Sequence, residues 1–507
     1  EIENCTFTDN YIDLAFEKYS KKNLDQKIDA VNDPNGMSTQ NYIRSNTFTS
    51  SGGTLLSPYN TMHKFAAIVL DDVERVVIGD SSEDASVDYN YFSSSNFGIK
   101  SNKSNFEVYH SDFDGILDLD PQISRLTGTA IYAQSAYDNN DRKIIIGNKN
   151  YAVGSNSHQN HFVNLNNGIV ASGEMNVSVF NNAFGNGVPD NRIKKYGIWI
   201  NGTWEKSVYI TRENVFHDYY TGIRANMIHP QAVFHIGNNT FNNAYVSNWN
   251  AINSFEGTAI YLANYFGMPV NLPFRVDPQV VIFENTIGEY GADIQPRIGI
   301  FASQIFEPVI QNNEINYYRN SPVTRPHSYG IWTQNCNSPF IASNTIRESQ
   351  RTYQGYGANL IGIRSDRNLN PCIGNMNTIE SLGYALYFSD NNGIASISTN
   401  IFDRCDNGVY LDSAEIGQQG TPVRTDDNEW YDLSSSNNRV NGLTMNNIPV
   451  RWYWNSSNSA FAPIPSGIVF DFPSNNPSLA PVTCPTINNI IQRNNSLGGV
   501  VTDTVRY

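Results

Sequence analysis

The acidic side chains of this sequence are most concentrated in the stretch "SDFDGILDLDPQ". It holds four aspartates at short, mostly alternate spacing, namely Asp112, Asp114, Asp118 and Asp120. Carboxylates that alternate along a strand point to the same side and supply the oxygen ligands that calcium prefers. The same alternation is typical of a strand with its polar residues in solvent and its apolar residues in the core. We prefer the second interpretation, also for Asp71, Asp72 and Glu74, so no metal site is assigned and calcium is the one cation that these residues could hold.

Histidine and cysteine add little further metal or nucleophile chemistry. The cysteines form no Cys-x-x-Cys pair and lie apart from the eight histidines, which argues against a structural zinc site. His158 and His161 are neighbours, and we interpret them as loop residues rather than ligands. The sequence also contains no Gly-rich phosphate loop, nucleophile elbow or His-Glu-x-x-His motif.

A repeated phrase indicates the elements that must position these groups. Asn, then any residue, then Phe or Ile recurs along the chain, in the regular part at intervals of mostly about 23 to 33 residues, which is the range of solenoid repeats. The phrases begin at Asn46, Asn90, Asn160, Asn182, Asn214, Asn239, Asn285, Asn313, Asn344, Asn377 and Asn400, with Asn428 as a candidate last member. Such a period predicts stacked copies of one structural unit.

Two further phrases lie between the Asn phrases. One is Gly followed by alternating apolar residues, as in "GIWI" from Gly197, and the other is a β-branched run such as "KIIIGN". Both are short and bounded by turn residues, which predicts strands. With no useful helical periodicity between them, strands of successive units can pair only in parallel. The sequence therefore predicts an all-β fold, a right-handed parallel β-helix with three strands per coil.

The repeated Asn has a physical explanation in this fold. Each coil bends sharply between strands, and Asn tolerates the left-handed backbone conformation that we expect at the bend. Stacked amides can hydrogen-bond from coil to coil. We predict that equivalent turns and one or more axial ladders are formed by Asn182, Asn214, Asn239, Asn313, Asn344 and Asn377. The Gly of the second phrase is expected at another tight corner.

Aromatic side chains in or beside the Gly phrases are the candidate ligand-binding residues. They are Tyr132, Trp199, Tyr261, Trp332 and Tyr387. Because side chains alternate along a strand, some of them must face outward and could stack across coils as an aromatic stripe. Such a stripe could bind sugar rings or a partner protein. Filling the core or covering the sheet is the alternative role.

The repeat divides the chain into two regions. Residues 1–440 are predicted to form the β-helix, with insertions near 10–40, 134–143 and 263–279, and residues 441–507 are predicted to be an irregular C-terminal extension or cap because Pro interrupts strand pairing. Cys336 and Cys372 lie near one period apart, so they are candidates for a disulfide between stacked coils. The first residues resemble the middle of a repeat, which predicts a processed protein or a segment of a longer one.

Composition narrows the range of partners. The net charge of −15 argues against nucleic acid as a partner and against simple attraction to anionic lipid. No apolar run approaches membrane-spanning length, so we expect a protein that does not span the membrane. With 40% hydrophobic and 12% aromatic residues, the chain has ample material for a core.

The alternation of Asn-x-Phe/Ile with Gly-Ile-x-aromatic over residues 1–435 resembles right-handed parallel β-helix proteins of the pectate-lyase-like superfamily. Polygalacturonase-like members of that superfamily combine Asn-Thr-Asp, paired Asp, Gly-His-Gly and Arg-Ile-Lys motifs. Only Arg192-Ile193-Lys194 matches one of these, so no catalytic residue is assigned. The Asn- and Tyr-rich style also resembles large secreted surface proteins of gliding Bacteroidota.

These observations favour a non-enzymatic protein located outside the cell or on its surface. We expect an adhesin or a structural subunit of a surface appendage, with a surface glycan or a protein as its partner and a homo-oligomer as an option. The alternatives are a polysaccharide lyase or glycoside hydrolase of the same fold, or a non-catalytic carbohydrate-binding module.

Overall fold

The computed structural model describes residues 2–18, 42–51, 53, 55, 62–74, 76–79, 89–119, 126–135, 142–148, 159–187, 193–203, 207–246, 255–264, 280–288, 296–317, 328–348, 359–421, 425–431, 439–445, 450–455, 460, 462, 465–466 and 474–475. These residues contain no α-helix. The strands of the first half are β1 (Ile2–Glu3), β2 (Thr6–Thr8), β3 (Ile12–Glu17), β4 (Tyr42–Arg44), β5 (Thr47–Thr49), β6 (Ala66–Asp71), β7 (Val76–Ile78), β8 (Asn90–Ser93), β9 (Phe97–Asn102), β10 (Phe106–Val108), β11 (Ser111–Asp114), β12 (Thr129–Ser135), β13 (Lys143–Ile146), β14 (Asn160–Val163), β15 (Leu165–Gly173), β16 (Asn176–Phe180), β17 (Asn182–Phe184), β18 (Ile193–Asn201), β19 (Val208–Arg212), β20 (Val215–Phe216), β21 (Thr221–Asn226), β22 (Val233–Gly237), β23 (Thr240–Phe241) and β24 (Thr258–Ala263).

The remaining strands are β25 (Val280–Phe283), β26 (Thr286–Ile287), β27 (Ile298–Ser303), β28 (Val309–Gln311), β29 (Glu314–Tyr317), β30 (Ser328–Gln334), β31 (Phe340–Ala342), β32 (Thr345–Glu348), β33 (Leu360–Asp366), β34 (Cys372–Gly374), β35 (Thr378–Glu380), β36 (Tyr384–Asn391), β37 (Ser396–Ser398), β38 (Ile401–Asp403), β39 (Asn407–Glu415), β40 (Glu429–Tyr431), β41 (Val440–Thr444), β42 (Trp454–Asn455), β43 (Pro465–Ser466) and β44 (Ser474–Asn475). The chain divides into two compact units. Unit 1 is Glu1–Tyr265 with Asn285–Ile300, and unit 2 is Phe266–Glu284 with Phe301–Tyr507.

Each unit is built from three parallel sheets, and the chain visits the sheets in rotation. In unit 1 the first sheet runs β1-β4-β7-β10-β13-β16-β19-β22, the second β2-β5-β8-β11-β14-β17-β20-β23-β26 and the third β3-β6-β9-β12-β15-β18-β21-β24. In unit 2 the corresponding orders are β25-β28-β31-β34-β37, β29-β32-β35-β38-β40 and β30-β33-β36-β39-β41-β43. Every third strand thus pairs with the next of its kind, and this confirms the predicted right-handed parallel β-helix with three strands per coil.

The six predicted ladder asparagines lie at one equivalent corner, where their amides bond from coil to coil. In unit 1, Asn182 Nδ2 donates to Asn214 Oδ1 at 2.9 Å and Asn214 Nδ2 donates to Asn239 Oδ1 at 3.0 Å. In unit 2, Asn313 Nδ2 donates to Asn344 Oδ1 at 2.9 Å and Asn344 Nδ2 to Asn377 Oδ1 at 3.0 Å. Beyond these six, Asn285, Asn400 and Asn428 occupy the same position. Since the ladder residues are buried, the bonds satisfy amides that water cannot reach.

Two details of the ladder differ from the sequence prediction. The left-handed conformation belongs to the residue before the ladder residue in most coils, for example Asn238 with φ 54° and Ser343 with φ 54°. The ladder Asn is therefore selected for its amide rather than for its backbone. The ladder position is also filled by residues outside the phrase, since Ser111 N donates to Asn160 Oδ1 and Cys5 N donates to Asn46 Oδ1, each at 2.9 Å.

At most of its positions the Gly of the second phrase has a packing role, which corrects its assignment to a tight corner, whereas Gly257, with φ 76°, has the backbone of a turn. Gly197 is not in the left-handed region, and a Cβ there would lie 2.7 Å from both the Phe216 ring and the carbonyl oxygen of Gly222. Phe216 is the apolar member of an Asn phrase, and its ring stacks on Phe184 at 4.7 Å and on Phe241 at 4.6 Å. The two phrases are thus complementary, because the stacked interior rings press against the Gly positions of the third sheet.

The predicted Cys336–Cys372 pair is wrong. Cys336 is a buried free thiol, whereas Cys372 is disulfide-bonded. Cys372 pairs in register with Phe340, while the backbone N–H of Cys336 donates to Asn368 Oδ1 at 2.8 Å. The two cysteines therefore occupy different positions in their coils, because sequence separation near one period does not fix the register.

The region after residue 440 still carries short parallel strands. β41 pairs with β39, β43 with β41, and β42 with β44. Within the first predicted insertion, Ile12–Glu17 is strand β3. Residues 19–40, 136–141 and 265–279 of the three predicted insertions lie outside the described part of the chain.

Candidate functional site

The five predicted aromatic residues all occupy one outward position of the third sheet. In unit 1, Tyr132 pairs in register with Lys100 and Val170, and Val170 pairs with Trp199. Arg224 then stands between Trp199 and Tyr261. In unit 2, Arg364 stands between Trp332 and Tyr387, and Tyr410 follows Tyr387. Two aromatic columns result, one in each unit.

The column of unit 1 is partly covered. Tyr261 is only 1% exposed, and the Arg224 guanidinium lies 5.0 Å from the ring centres of both Tyr261 and Tyr196. Arg224 Nη1 also donates to the Tyr196 hydroxyl at 2.7 Å. Tyr132 is half-buried and its hydroxyl donates to Gln134 Oε1 at 2.8 Å. Tyr261 is therefore an outward residue that is covered by its neighbours, so it serves to cover the sheet, which is the structural alternative for these residues.

The column of unit 2 is a stack of planar groups that remains half-exposed. The Arg364 guanidinium lies 4.9 Å from the Trp332 ring centre and 5.3 Å from that of Tyr387. The Tyr387 ring stacks on Tyr410 at 5.3 Å, and Tyr384 meets Tyr410 edge-on at 5.1 Å. A cation held between ring faces is attracted by their quadrupoles. We call Trp332, Arg364, Tyr384, Tyr387 and Tyr410 the unit 2 aromatic face.

A polar column runs beside the unit 2 aromatic face, two residues further along each strand. It contains Asp366, Ser389 and Asp412, which are paired in register. Asp366 is 5% exposed and accepts from Arg364 Nε at 2.8 Å and from Trp332 Nε1 at 2.9 Å. These bonds fix the orientation of the Trp332 and Arg364 side chains, so the face is held by its own hydrogen bonds.

These contacts and burial shift the pKa values of charged and hydroxyl groups in the unit 2 aromatic face. Burial disfavours the charge of Arg364, yet the Asp366 carboxylate outweighs it and the pKa of Arg364 is raised, so the guanidinium stays charged. The Tyr387 hydroxyl donates to Asp412 Oδ2 at 2.6 Å, and burial together with that carboxylate raises the pKa of Tyr387. Tyr384 also has a raised pKa, from burial first and then from neighbouring Tyr410 and acidic groups. The hydroxyls of Tyr384 and Tyr387 are therefore protonated donors at neutral pH.

Sequence reasoning found two members of this face and missed three. Arg364, Tyr384 and Tyr410 lie in or beside "GIRSD", "GYALYF" and "GVYLD", which share the Gly phrase of the aromatic members. An available signal was Asp two residues after the outward side chain, present in "IRSD" and "VYLD". Alternation places such an Asp on the same face as the residue before it.

The acidic stretch forms a second cluster, in unit 1. Asp112 and Asp114 both point outward from β11, and Asp112 pairs in register with Tyr91 on one side and His161 on the other. His161 Nδ1 lies 2.7 Å from Asp112 Oδ1, and the Tyr89 hydroxyl donates to Asp112 Oδ2. His161 is thus a strand residue of β14, which corrects its assignment to a loop. Because the carboxylate accepts from Nδ1, the neutral ring presents Nε2 as its acceptor.

The environment of this cluster perturbs the pKa of Asp114. Burial, and then the charge of Asp112, raise the pKa of Asp114. Burial and the Asp112 carboxylate likewise raise the pKa of Tyr89. A carboxyl group with a raised pKa beside an Asp–His pair is an arrangement that acid–base chemistry can use.

The calcium candidates do not converge in the described residues. Asp118 accepts from the Thr127 hydroxyl, and Asp120 lies outside the described part of the chain. Asp71 accepts from Asn102 Nδ2 at 2.6 Å and Asp72 pairs with Arg142 at 3.1 Å. Across the part of the chain that the structure describes, no three His, Cys, Asp or Glu residues are grouped as metal ligands.

The Arg-Ile-Lys match is dispersed. Ile193 is buried at the start of β18, Lys194 is exposed beside it, and Arg192 and His158 lie outside the described residues. Lys194 belongs to the third sheet, whereas Asp112 and Asp114 belong to the second. Lys194 therefore projects from a different sheet of unit 1 than Asp112 and Asp114.

Comparisons with known proteins identify no relative of this chain. No protein-family model, no curated protein and no solved structure matches this chain. In the described residues, no helix has the length and apolar character needed to cross a membrane.

Proposed function

We propose that this chain is a non-catalytic, extracellular adhesive protein that binds a surface glycan through the unit 2 aromatic face. The observation that carries the proposal is the half-exposed stack of Arg364, Tyr387 and Tyr410, fixed to a rigid sheet beside Asp412. The β-helix acts as the scaffold, and the outward columns act as the binding surface.

The chemistry of the face suits a hydroxyl-rich ligand with apolar patches. A sugar ring has C–H groups that pack on aromatic carbon and hydroxyls that need donors and acceptors. Tyrosine supplies both a rigid ring and a hydroxyl at low entropic cost. Asp412 contributes an acceptor next to the Tyr387 hydroxyl, and Tyr384 and Tyr410 contribute the partly exposed edges of their rings.

The same geometry argues against catalysis at this face. Both oxygens of Asp366 are engaged, one by the Ser389 hydroxyl and one by Trp332 Nε1, and Arg364 Nε contacts both. Asp412 is engaged by Tyr387. A glycosidase needs two carboxyl groups facing a sugar-sized gap in different protonation roles. These carboxylates instead orient their neighbours, as expected for a binding surface.

The test is glycan binding by the purified chain on an array of neutral and anionic polysaccharides. Tyr387→Ala combined with Tyr410→Ala should lower affinity for the bound glycan at least tenfold, since truncating a central aromatic side chain of a binding surface typically costs about 2 kcal/mol or more of binding free energy. Tyr431→Ala is the matched control, because Tyr431 is 44% exposed but lies on the second sheet. Equal binding by the double variant and the control would refute the assignment of the face.

A polysaccharide lyase or hydrolase is the second candidate function, favoured by the cluster of Tyr89, Asp112, Asp114 and His161. In this interpretation Asp114 is the acid and the Asp112–His161 pair is the base. The assay is a screen of neutral and anionic glycans for new reducing ends and unsaturated uronate absorbance. Turnover that is lost in Asp114→Asn and in His161→Ala would replace the adhesive proposal with this one.

A further inference from the structure

Unit 1 contains a lysine and an aspartate whose side chains meet away from solvent. Asp13 lies in β3, and Lys64 lies two residues before β6, the strand that pairs with β3. The Lys64 Nζ atom contacts Asp13 Oδ2, and both side chains are 0% exposed. The two residues therefore belong to adjacent coils, and water does not reach the contact.

Two further groups complete the surroundings of the pair. Lys64 Nζ donates to the backbone carbonyl oxygen of Thr49 at 2.9 Å, and Asn10 Nδ2 donates to Asp13 Oδ1 at 3.1 Å. The other nearby carboxylate, Asp9, is held by the Ser51 backbone N–H at 2.7 Å and by a serine hydroxyl. Asp13 is thus the carboxyl group that Lys64 contacts directly.

Burial pushes both partners toward their uncharged forms. Desolvation raises the pKa of Asp13 and lowers the pKa of Lys64, and in both cases it outweighs their mutual attraction. Removing two charges from water costs several kcal/mol per ion, and a close ion pair repays this only in part. A neutral amine is a nucleophile, and a protonated carboxyl group is a better electrophile than a carboxylate.

We propose that Asp13 and Lys64 are joined by an intramolecular amide bond. Lys64 Nζ attacks Asp13 Cγ, the C–N bond forms, and the bond from Cγ to Oδ2 breaks. Oδ2 leaves as water with two protons that come from the amine and the carboxyl group. The product is a neutral secondary amide, and the step requires neither an oxidant nor a co-reactant.

The site fits the product better than the ion pair. The single N–H of the amide keeps the Thr49 carbonyl as its acceptor, and the retained Oδ1 keeps Asn10 as its donor. Condensation is unfavourable for free ions in water, but fixed reacting groups reach effective concentrations on the order of 10⁵ M or more. Burial also disfavours the charged forms of Asp13 and Lys64, whereas the amide is neutral, so both effects favour the amide.

The bond would hold together a sheet edge. In the described residues β3 is the first strand of the third sheet and pairs with β6 alone. An edge strand frays more easily than an internal one. A covalent link between the two coils, across the long segment that separates them in sequence, keeps β3 paired even when its hydrogen bonds open.

The test is the intact mass of the purified full chain, measured after reduction so that disulfide hydrogens do not enter the difference. The wild-type chain should be lighter than its sequence by one water molecule. Trypsin cleaves after arginine and after lysines whose amine is free, so the digest should contain the peptide ending at Lys18 joined to the peptide that runs from Ser45 through Lys64 to Arg75.

Variants separate this bond from other losses of water. Asp13→Ala and Lys64→Ala should each have the full mass of their own sequence, whereas Lys100→Ala, which removes another partly buried lysine, should keep the loss. Asp13→Asn should give the same final product as the wild type, with ammonia as the leaving group. Because the wild-type measurement needs no variant to fold, it decides the question by itself. A wild-type chain of full mass, or a water loss found within a single unbranched peptide, would overturn the proposal.

Discussion

Asn239 shows what one amide of the ladder contributes to the fold. Its side chain is buried, and Nδ2 donates to Thr211 O, Gly237 O and Asn285 Oδ1, each at 3.0 Å. Its Oδ1 accepts from the backbone N–H of Asn214 at 3.1 Å and from Asn214 Nδ2 at 3.0 Å. One side chain therefore serves backbone groups of two coils and the side chains of two neighbours.

Asn239→Leu keeps the size of the side chain and removes all of these bonds. The Asn214 N–H then loses its acceptor and the Thr211 carbonyl loses a donor, in a place closed to water. An unsatisfied buried polar group costs about 1–3 kcal/mol, so two such groups predict a loss on the order of 2–5 kcal/mol. The loss should be local, because each coil of a solenoid contacts only its neighbours.

Hydrogen exchange measured by mass spectrometry is the appropriate assay, together with urea unfolding. We expect faster exchange in the peptides containing Asn214 and Asn239 and a lower urea midpoint. Thr240→Leu is the matched control, since Thr240 is the next residue and its side chain faces outward. If Asn239→Leu costs no more than Thr240→Leu and Asn214 stays protected, the ladder does not stabilise the coils as argued.

Three further predictions concern other positions. Gly197→Ala should destabilise unit 1 by about 1–3 kcal/mol in urea unfolding, because the added Cβ would overlap the Phe216 ring. An unchanged urea midpoint would contradict the packing role of this Gly. Arg364→Met should lower the free energy of unfolding by on the order of 2 kcal/mol, because it leaves the Asp366 carboxylate, which is 5% exposed, without its cation. The value is below that of a fully buried pair because Arg364 is 23% exposed. Urea unfolding measures the loss, and the intrinsic fluorescence of Trp332 should shift in the same variant. Burial first, and then the charge of Arg212, lower the pKa of His235 from 6.5 to about 4. Neutral His235 therefore contributes its full stability above pH 6.5, and this contribution is lost as the pH falls from 6.5 toward 4. In His235→Leu, the urea midpoint should depend less on pH between 6.5 and 4 than it does in the wild type.

The fold was predictable because its signal is local and repeated. Each Asn phrase carries both the ladder amide and the interior apolar side chain, and that side chain explains the Gly phrase of the preceding strand of the third sheet. Register was less predictable, as Cys336 and Cys372 show, because loops of different length separate equivalent positions. Ser111 was missed for a related reason, since a hydroxyl and a backbone N–H can continue the ladder without the Asn phrase.

The candidate sites depended on contacts between coils that the sequence does not display. Alternation placed Trp332 and Tyr387 on an outward face, but only the register shows that Arg364 lies between them. The pairing of Asp112 with His161 joins residues 49 apart in sequence, across the segment 151–158. Asp13 and Lys64 are likewise separated by a long insertion, so neither residue stands out alone.

In unit 2, a buried position repeats the same residue from coil to coil whereas an outward position varies, and this difference bears on function. The ladder position is Asn in successive coils, at Asn313, Asn344 and Asn377, because each coil offers it the same buried surroundings. The outward position of the third sheet is Trp, Arg, Tyr and Tyr in successive coils, and hydrogen bonds to Asp366 and Asp412 orient Trp332, Arg364 and Tyr387. A position that only covered the sheet could repeat one residue, as the ladder does. A stack that alternates rings with a fixed cation instead builds a surface of defined chemistry, and that surface is where we expect a glycan to bind.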